Sequence, residues 1–265
     1  MIEIKNLHKS FNGSPVLQGF NLDIFDSESL VIIGRSGCGK SVLLKLMLRL
    51  LQPDAGDIII DNINIARLSY SEMAEVRKKF GVLFQSGALF DSMTIRQNIT
   101  LPLEKHFNFT PKEIESKVRE ALEMVGLPGI GDFKPAELSG GMRKRAALAR
   151  AIVYRPKYLL YDEPTTGLDP VMAANISQLI FDMNRLLNTT SIVVTHDMGT
   201  AYTVAERIVM LHYGKILTAG TPNEIKLTQN ETVRQFIEGN VEGPIKPFQH
   251  FAAPKVKSPE PSQGA

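Results

Sequence analysis

The feature that most constrains the fold is an apolar strand that runs into a glycine-rich loop and then into a helix. Residues 30–33 read Leu-Val-Ile-Ile, a continuous run typical of a strand buried on both faces of a parallel sheet. Residues 34–41 read Gly-Arg-Ser-Gly-Cys-Gly-Lys-Ser, and helix-forming residues continue from 41 to 51, before Pro53. Strand, G-x-x-x-x-G-K-S loop and helix in this order predict a phosphate-binding loop.

Two further motifs indicate what kind of phosphate-loop protein this is. Residues 138–142 read Leu-Ser-Gly-Gly-Met, and residues 158–163 read Tyr-Leu-Leu-Tyr-Asp-Glu, an apolar strand that ends in two carboxylates. A phosphate loop alone indicates only nucleotide binding, but three motifs in this order make coincidence negligible. They resemble the motifs of ABC-type ATPases, and the resemblance covers about residues 1–235.

This resemblance implies an α/β fold. The expected parts are a phosphate-loop ATPase core on a mixed, largely parallel sheet, an antiparallel β subdomain and an inserted α-helical signature subdomain. We expect an ATPase domain at 1–239, with the helical subdomain at about 91–155, and a proline-rich tail at 240–265. The implied cofactors are ATP and Mg²⁺.

Apolar patterns predict the individual elements. Two runs with helical periodicity, 113–125 and 142–153, lie in the expected helical subdomain. The second run is basic on one side, which we interpret as a solvated or partner-facing surface; its basic residues are Arg143, Lys144, Arg145 and Arg150. Besides 30–33, the predicted strands are 2–7, 16–24, 57–60, 81–84, 158–161, 191–195, 207–211 and 215–219.

The loop and one aromatic residue are expected to hold the nucleotide. Glycine permits the positive φ angles that let backbone amides wrap a phosphate, Lys40 is expected to meet the β- and γ-phosphates, and the Ser41 hydroxyl to ligate magnesium. Cys38 is interpreted as a passive loop residue, with a redox sensor as the alternative. Phe11 stands where the family stacks an aromatic ring on adenine, with a core phenylalanine as the alternative. The expected loop contacts are Gly34, Ser36, Gly37, Cys38, Gly39, Lys40 and Ser41.

Polar residues at the ends of three predicted strands are the candidates for the chemistry. Asp162 is expected to hold magnesium, directly or through water, and Glu163 to act as the general base, although two carboxylates could simply begin a turn before Pro164. The resemblance implies that Gln85 reaches magnesium and water, and that His196 contacts the γ-phosphate. Without the resemblance, Gln85 would be interpreted as a structural residue, and His196 as a residue next to a helix cap.

The signature motif predicts a dimer. Ser139, Gly140 and Gly141 open a helix whose N-terminal amides and dipole suit a phosphate, and in the family they reach the nucleotide of the other protomer. The chain carries one copy of each motif, so a C2 homodimer around two ATP molecules is expected. Asp169 lies in a loop that resembles the one meeting its counterpart across that dimer. The usual glutamine after the glycines is replaced by Met142.

Residues 84–93 and 138–150 narrow the resemblance to the MlaF-like ATPases, which serve MlaE-type permeases and MCE-domain lipid-transfer proteins. It implies phospholipid or other lipid transport across a cell envelope. The partners would be an integral permease and an MCE-domain protein, and the chain would lie peripherally on the cytoplasmic face of the inner membrane. The alternatives are an amino-acid or metal-chelate importer, a soluble ABC ATPase of DNA repair or the ribosome, and a kinase-type phosphate-loop enzyme.

Composition and apolar runs fit that expectation. The net charge of +2 is too small to argue for a nucleic-acid partner, and a single cysteine excludes an internal disulfide and suits a reducing cytosol. The chain starts directly with strand-like alternation rather than a secretory segment. Its most apolar helical stretch, 43–51, carries Lys45 and Arg49, so any membrane part would belong to another chain.

Two segments are candidates for partner contacts. Residues 87–98 follow Gln85 and carry Leu89, Phe90, Met93 and Ile95, which predicts a permease contact there, although these residues could instead pack the subdomain core. The tail carries five of the 15 prolines. Its Phe248 and Phe251 could face one surface, so we predict that the tail clasps the partner protomer, with an end that has no role as the alternative.

Overall fold

The strand before the phosphate loop is the centre of a six-stranded sheet. The computed structural model describes residues 1–246, and all five residues of this strand, β3, are buried between two apolar cores. The order is β10-β9-β3-β8-β7-β6, parallel except for the β9–β10 pair. The strands are β3 (Ser29–Ile33), β6 (Phe80–Leu83), β7 (Tyr158–Asp162), β8 (Thr190–Thr195), β9 (Arg207–His212) and β10 (Lys215–Gly220).

A second, antiparallel sheet has the order β2-β1-β4-β5. Its inner face follows the alternation of the sequence, because Ile2 and Ile4 are buried and pair with Ile24 and Ile58 across the neighbouring strands. The strands are β1 (Ile2–Phe11), β2 (Ser14–Ile24), β4 (Ala55–Ile60) and β5 (Ile63–Asn64).

The helices begin where the sequence provides caps. Ser69, Thr94 and Thr110 each accept a hydrogen bond from the third helical residue, whose own side chain caps them in return. We propose that α3, α4 and α5, which lie between β6 and β7, make up the helical subdomain. The helices are α1 (Lys40–Met47), α2 (Tyr70–Arg77), α3 (Ile95–His106), α4 (Pro111–Met124), α5 (Gly140–Ile152), α6 (Pro170–Leu187), α7 (Met198–Val204), α8 (Pro222–Lys226) and α9 (Glu231–Glu238).

The predicted fold class is confirmed, and the elements differ from the sequence patterns in detail. Helix α1 ends at Met47, earlier than expected, since Arg49 has a left-handed φ of 49°. The short strand β5 was not predicted. Within residues 1–246, no helix is long and apolar enough to cross a membrane. The predicted tail contacts of Phe248 and Phe251 lie outside the described residues.

Candidate functional site

The phosphate loop lies at the carboxyl end of β3 and is fixed by close backbone approaches. Gly34 has a φ of 153°, and a Cβ there would lie 2.5 Å from the Leu211 carbonyl oxygen and 2.8 Å from Cys38 Sγ. Gly39 has a φ of 110°, and its Cβ would lie 2.9 Å from Val16 Cγ1. A side chain at either position would therefore clash and strain the backbone, so the motif's glycines are physical requirements of this loop.

Lys40 joins the loop to the catalytic candidates. Its side chain is only 5 % exposed, and Nζ donates hydrogen bonds to the Gly34 carbonyl at 2.7 Å and the Arg35 carbonyl at 3.2 Å. The same ammonium lies 3.4 Å from Glu163 Oε1. A positive charge is thus held at the mouth of the loop, where the amides of the following residues open α1.

Ser41 and Asp162 bring together two oxygen atoms that would hold a magnesium ion. The Ser41 hydroxyl donates to Asp162 Oδ1 at 2.7 Å, which joins the start of α1 to the end of β7. A hydroxyl and a carboxylate oxygen are hard ligands of the kind that Mg²⁺ prefers, and phosphate oxygens and water complete its shell in such sites. The two residues fit the predicted ion.

Glu163 and His196 meet beside Lys40. Glu163 is nearly buried and has a left-handed φ of 48°, which turns its side chain back toward β8. His196 Nδ1 lies 2.9 Å from Glu163 Oε2, and because a carboxylate only accepts, Nδ1 carries the proton. The Thr195 hydroxyl donates to the same oxygen at 3.4 Å. The imidazole is half exposed, so it borders both the carboxylate and open space.

A polar network that the sequence did not reveal supports these strand ends. Asp197 caps α7 and accepts a 2.6 Å hydrogen bond from the Thr200 hydroxyl. The Thr200 oxygen lies 3.1 Å from the Thr165 oxygen and 2.9 Å from that of Ser177. Although partial burial opposes it, hydrogen bonds from Thr200 and the Gly199 amide lower the pKa of Asp197. The network ties the segments after β7 and β8 to α6, at a cleft of about 500 Å³.

The signature residues make no hydrogen bond to their own phosphate loop within the described chain. Ser139 caps α5 through Met142 N at 3.3 Å and is exposed. Gly141 is buried, and a Cβ there would meet the flexible end of Met172 at 2.2 Å. Asp169 is exposed and caps α6 through Val171 N at 3.0 Å. Ser139 and Asp169 are thus exposed at the N-termini of α5 and α6.

Phe11 and Gln85 are both at the surface. The Phe11 ring is 41 % exposed, with Lys9 Nζ 5.4 Å from its centroid, so the alternative of a core phenylalanine is wrong. Gln85 is exposed in the segment after β6, and its carbonyl oxygen accepts a hydrogen bond from Lys144 Nζ. The side-chain amide of Gln85 makes no hydrogen bond within residues 1–246.

The interpretation of the basic side of α5 as a solvated or partner-facing surface is wrong for two of its residues. Lys144 is only 7 % exposed. Arg150 donates to the Gly87 carbonyl at 2.8 Å and the Ala88 carbonyl at 2.7 Å. Burial lowers the pKa of Lys144, while attraction from the Asp162 and Glu163 carboxylates opposes that shift. The periodicity located the basic face, but which segment covers it depends on the tertiary fold.

Comparison with known proteins decides the family. Residues 17–166 match the ABC transporter family model. The chain belongs to the ABC transporter ATP-binding family. It is therefore an ATPase, and it resembles the solved dimeric ATP-binding cassette MJ0796, described in a post-hydrolysis state bound to ADP and Pi. That match has a TM-score of 0.77 and 33 % identity over 84 % of this chain and 99 % of that one.

Relatives that match more than nine-tenths of this chain include transport ATPases of two names. The chain is 40 % identical to the intermembrane phospholipid transport system ATP-binding protein MlaF of Haemophilus influenzae, over 97 % of each chain. It is 39 % identical to the Escherichia coli K12 MlaF, over 95 % of this chain and 93 % of that one. It is also 47 % identical to the probable ribonucleotide transport ATP-binding protein mkl of Mycobacterium leprae, over 92 % of this chain and 70 % of that one.

Proposed function

We propose that this ATPase powers phospholipid transport across a cell envelope, through a separate membrane permease. The observation that carries the proposal is the hydrolytic cluster of Lys40, Glu163 and His196 on a chain that matches MlaF proteins along nearly their whole length. An ATP-binding subunit of this kind hydrolyses ATP to drive transport and does not itself contact the transported molecule. The relatives therefore support the phospholipid cargo, and the geometry of the site supports ATP hydrolysis.

The geometry supports a role for each residue of the cluster. Glu163 acts as the general base toward water, and His196 orients that carboxylate by donating to it from Nδ1. The half-exposed ring of His196 borders the space proposed for the γ-phosphate. Lys40 meets the β- and γ-phosphates. Ser41 and Asp162 would hold Mg²⁺, which would neutralise phosphate charge at this site.

The signature motif completes this site from a second protomer. Ser139 and Asp169 are exposed helix caps, and neither is hydrogen-bonded to the phosphate loop of its own chain within the described residues. A C2 homodimer brings Ser139, Gly140 and Gly141 of one protomer to the nucleotide on the other, where α5 presents its N-terminal amides. The solved cassette with 33 % identity is described as dimeric, which supports this arrangement.

A groove beside the Gln85 segment is the proposed permease contact. Its volume is about 440 Å³, and Phe90 at its edge is 50 % exposed. The fully buried Asn98 holds the preceding loop, accepting from Phe90 N at 2.8 Å and donating to Thr94 O at 3.0 Å. Of the four apolar residues predicted there, Phe90 alone lines the groove, whereas Ile95 is buried in the core and Leu89 packs against that core. The groove is lined by Phe80, Val82, Phe84, Ala88, Phe90, Leu101, Pro102, Lys105, His106, Arg150, Ala151 and Tyr154.

The proposed assembly is two copies of this chain, two permease subunits and an MCE-domain lipid-binding protein, with this chain on the cytoplasmic face of the inner membrane. Ribonucleotide is the second candidate cargo, because the 47 % identical relative is named for it. The test is to purify the chain with its membrane partner and to measure its ATPase activity under two conditions. One is in phospholipid vesicles, and the other is in detergent with added ribonucleotides other than the ATP substrate. Stimulation by phospholipid supports the proposal, whereas stimulation by ribonucleotides alone would replace it.

A further inference from the structure

Lys144 is a buried cation that the chemistry proposed above does not use. It lies on α5, near the signature motif, and is only 7 % exposed. Its Nζ donates to the carbonyl oxygen of Gln85. A buried ammonium is unfavourable unless it is paired. Leu83 of β6 pairs with Tyr161 of β7, so Gln85 follows β6 beside the strand end that carries Asp162 and Glu163, whose attraction favours the charged form of Lys144. Lys144 therefore stands in the field of the two carboxylates while it holds the main chain of Gln85.

Arg150, further along the same helix, donates hydrogen bonds to the turn that follows Gln85. Its Nη2 donates to the Gly87 carbonyl at 2.8 Å and its Nη1 to the Ala88 carbonyl at 2.7 Å. Gly87 and Ala88 both have left-handed φ angles, of 78° and 48°. Such a conformation is unfavourable at Ala88, so it persists where contacts enforce it. A Cβ on Gly87 would touch Ala147 Cβ at 3.4 Å, which shows how closely the turn lies on α5.

We propose that Lys144 is a positioning residue for hydrolysis, which fixes Gln85 relative to Asp162 and Glu163, with Arg150 fixing the next turn. The inference rests on the proposed function, in which the N-terminus of α5 faces the nucleotide of the other protomer. Helix α5 then connects two nucleotide sites. Its N-terminus at Ser139 faces the γ-phosphate bound to the partner protomer. Lys144 on the same helix contacts Gln85 at the nucleotide site of its own chain, so a shift of α5 at one site would displace Gln85 at the other.

The test replaces Lys144 with methionine, which keeps the apolar stem but removes the charge and the donor. The turnover number of the transporter complex should fall by about tenfold or more, as expected when a charge-assisted hydrogen bond is lost from an active arrangement. The Kd for Mg-ATP should stay within about threefold, because Lys40 and Ser41 still bind the phosphates. Lys144→Arg should restore most of the turnover, since it returns both charge and donor.

Lys112→Met, on the exposed side of α4, is the matched control and should behave as wild type. Should Lys144→Met not fold, Lys144→Gln, which keeps a donor without the charge, carries the same test against Lys144→Arg. A turnover number unchanged in the folded variant would overturn the proposal. So would a parallel loss of ATP affinity and thermal stability, which marks a purely structural residue. A wild-type complex that does not hydrolyse ATP would count instead against the proposed function.

Discussion

Lys40 lies where the phosphate loop meets the end of β7, between two loop carbonyls and Glu163. We predict that Lys40→Ala weakens ATP binding itself, because it deletes the charge directed at the β- and γ-phosphates. The loss should be on the order of 10-fold to 100-fold in Kd, the range of one or two charge-assisted hydrogen bonds. Equilibrium binding of a fluorescent ATP analogue measures it. Unchanged affinity, with turnover alone reduced, would assign Lys40 to the chemical step instead.

Asp61 is a second single residue whose role can be tested, and it lies away from the proposed nucleotide site. It accepts hydrogen bonds from Lys157 Nζ at 2.5 Å, Tyr158 Oη at 2.6 Å and Lys79 Nζ at 2.7 Å, which tie the β4–β5 turn to the main sheet. Partial burial opposes the charge, yet the hydrogen bonds from Lys157, Lys79 and Tyr158 lower the pKa of Asp61 well below its usual range. A lowered folded pKa means stabilisation that is present above the unfolded pKa and lost as pH falls.

We therefore predict that Asp61→Asn lowers the free energy of unfolding at pH 7 by about 1–2 kcal/mol, after allowance for solvent screening. The difference from wild type should stay constant down to about pH 5 and shrink below about pH 4, near the unfolded pKa of an aspartate. Urea titrations across this range measure it. The control is Asp132→Asn, since Asp132 is 88 % exposed and its pair with Arg96 should contribute little. A gap that grows toward low pH would contradict the assignment.

At the scale of elements, buried strands and capped helices could be predicted, and contacts between distant elements could not. The run at residues 30–33 indicates a strand because a β-branched apolar sequence suits burial on both sheet faces. The prediction of a solvated or partner-facing surface on the basic side of α5 is wrong for Lys144 and Arg150. Periodicity shows which residues share a face of a helix, but it does not show that the segment after β6 covers that face. A second feature could not be predicted for the same reason, because its members come from three separate segments of the chain. It is the polar cluster of Thr165, Ser177, Asp197 and Thr200.

The exposed ring of Phe90 makes a prediction about the segment between β6 and α3. We expect Phe90→Glu to keep ATP affinity but to lose the membrane partner, because a carboxylate would replace the exposed ring in the groove that the partner is proposed to fill. Copurification of the permease and nucleotide binding measure the two effects separately. Tyr70→Glu on α2, where the ring is 82 % exposed, is the control for adding a charge to an exposed aromatic position. Normal assembly of the Phe90 variant would rule out the groove as the contact.

At the scale of the whole molecule, residues 245–246 are held against α9 and the phosphate loop. Gln235 is 7 % exposed, accepts from Ile245 N at 2.6 Å and donates to the Ile245 carbonyl at 3.1 Å. The Lys246 carbonyl then accepts from Arg35 Nη1 at 3.4 Å. The chain therefore reaches position 246 beside the phosphate loop. The clasp of the partner protomer by the remaining residues stays a prediction.

Ending the chain after Lys246 keeps these contacts and removes only the rest of the tail. We predict that this truncation weakens assembly of the complex and lowers its ATPase activity several-fold, as expected when a tethered contact is lost. Sedimentation of the complex and its turnover measure both effects. Gln235→Ala in the full chain is the companion variant, and it should shift assembly in the same direction, since it releases the start of the tail. Wild-type assembly and turnover in the truncated chain would show that the tail has no role.

Two protomers are proposed to close around ATP, and Glu163 is proposed to activate the water that hydrolyses it. The most direct test is the mass in solution of Glu163→Gln with Mg-ATP, measured by sedimentation. The variant should bind ATP, hydrolyse it about 10²–10⁴-fold more slowly than wild type, and so accumulate as an ATP-bound dimer. Ser139→Arg in the same background should return it to one chain of 29.4 kDa. A single-chain mass for Glu163→Gln in saturating Mg-ATP would rule out the ATP-bound dimer, and near-normal turnover would remove Glu163 from the mechanism.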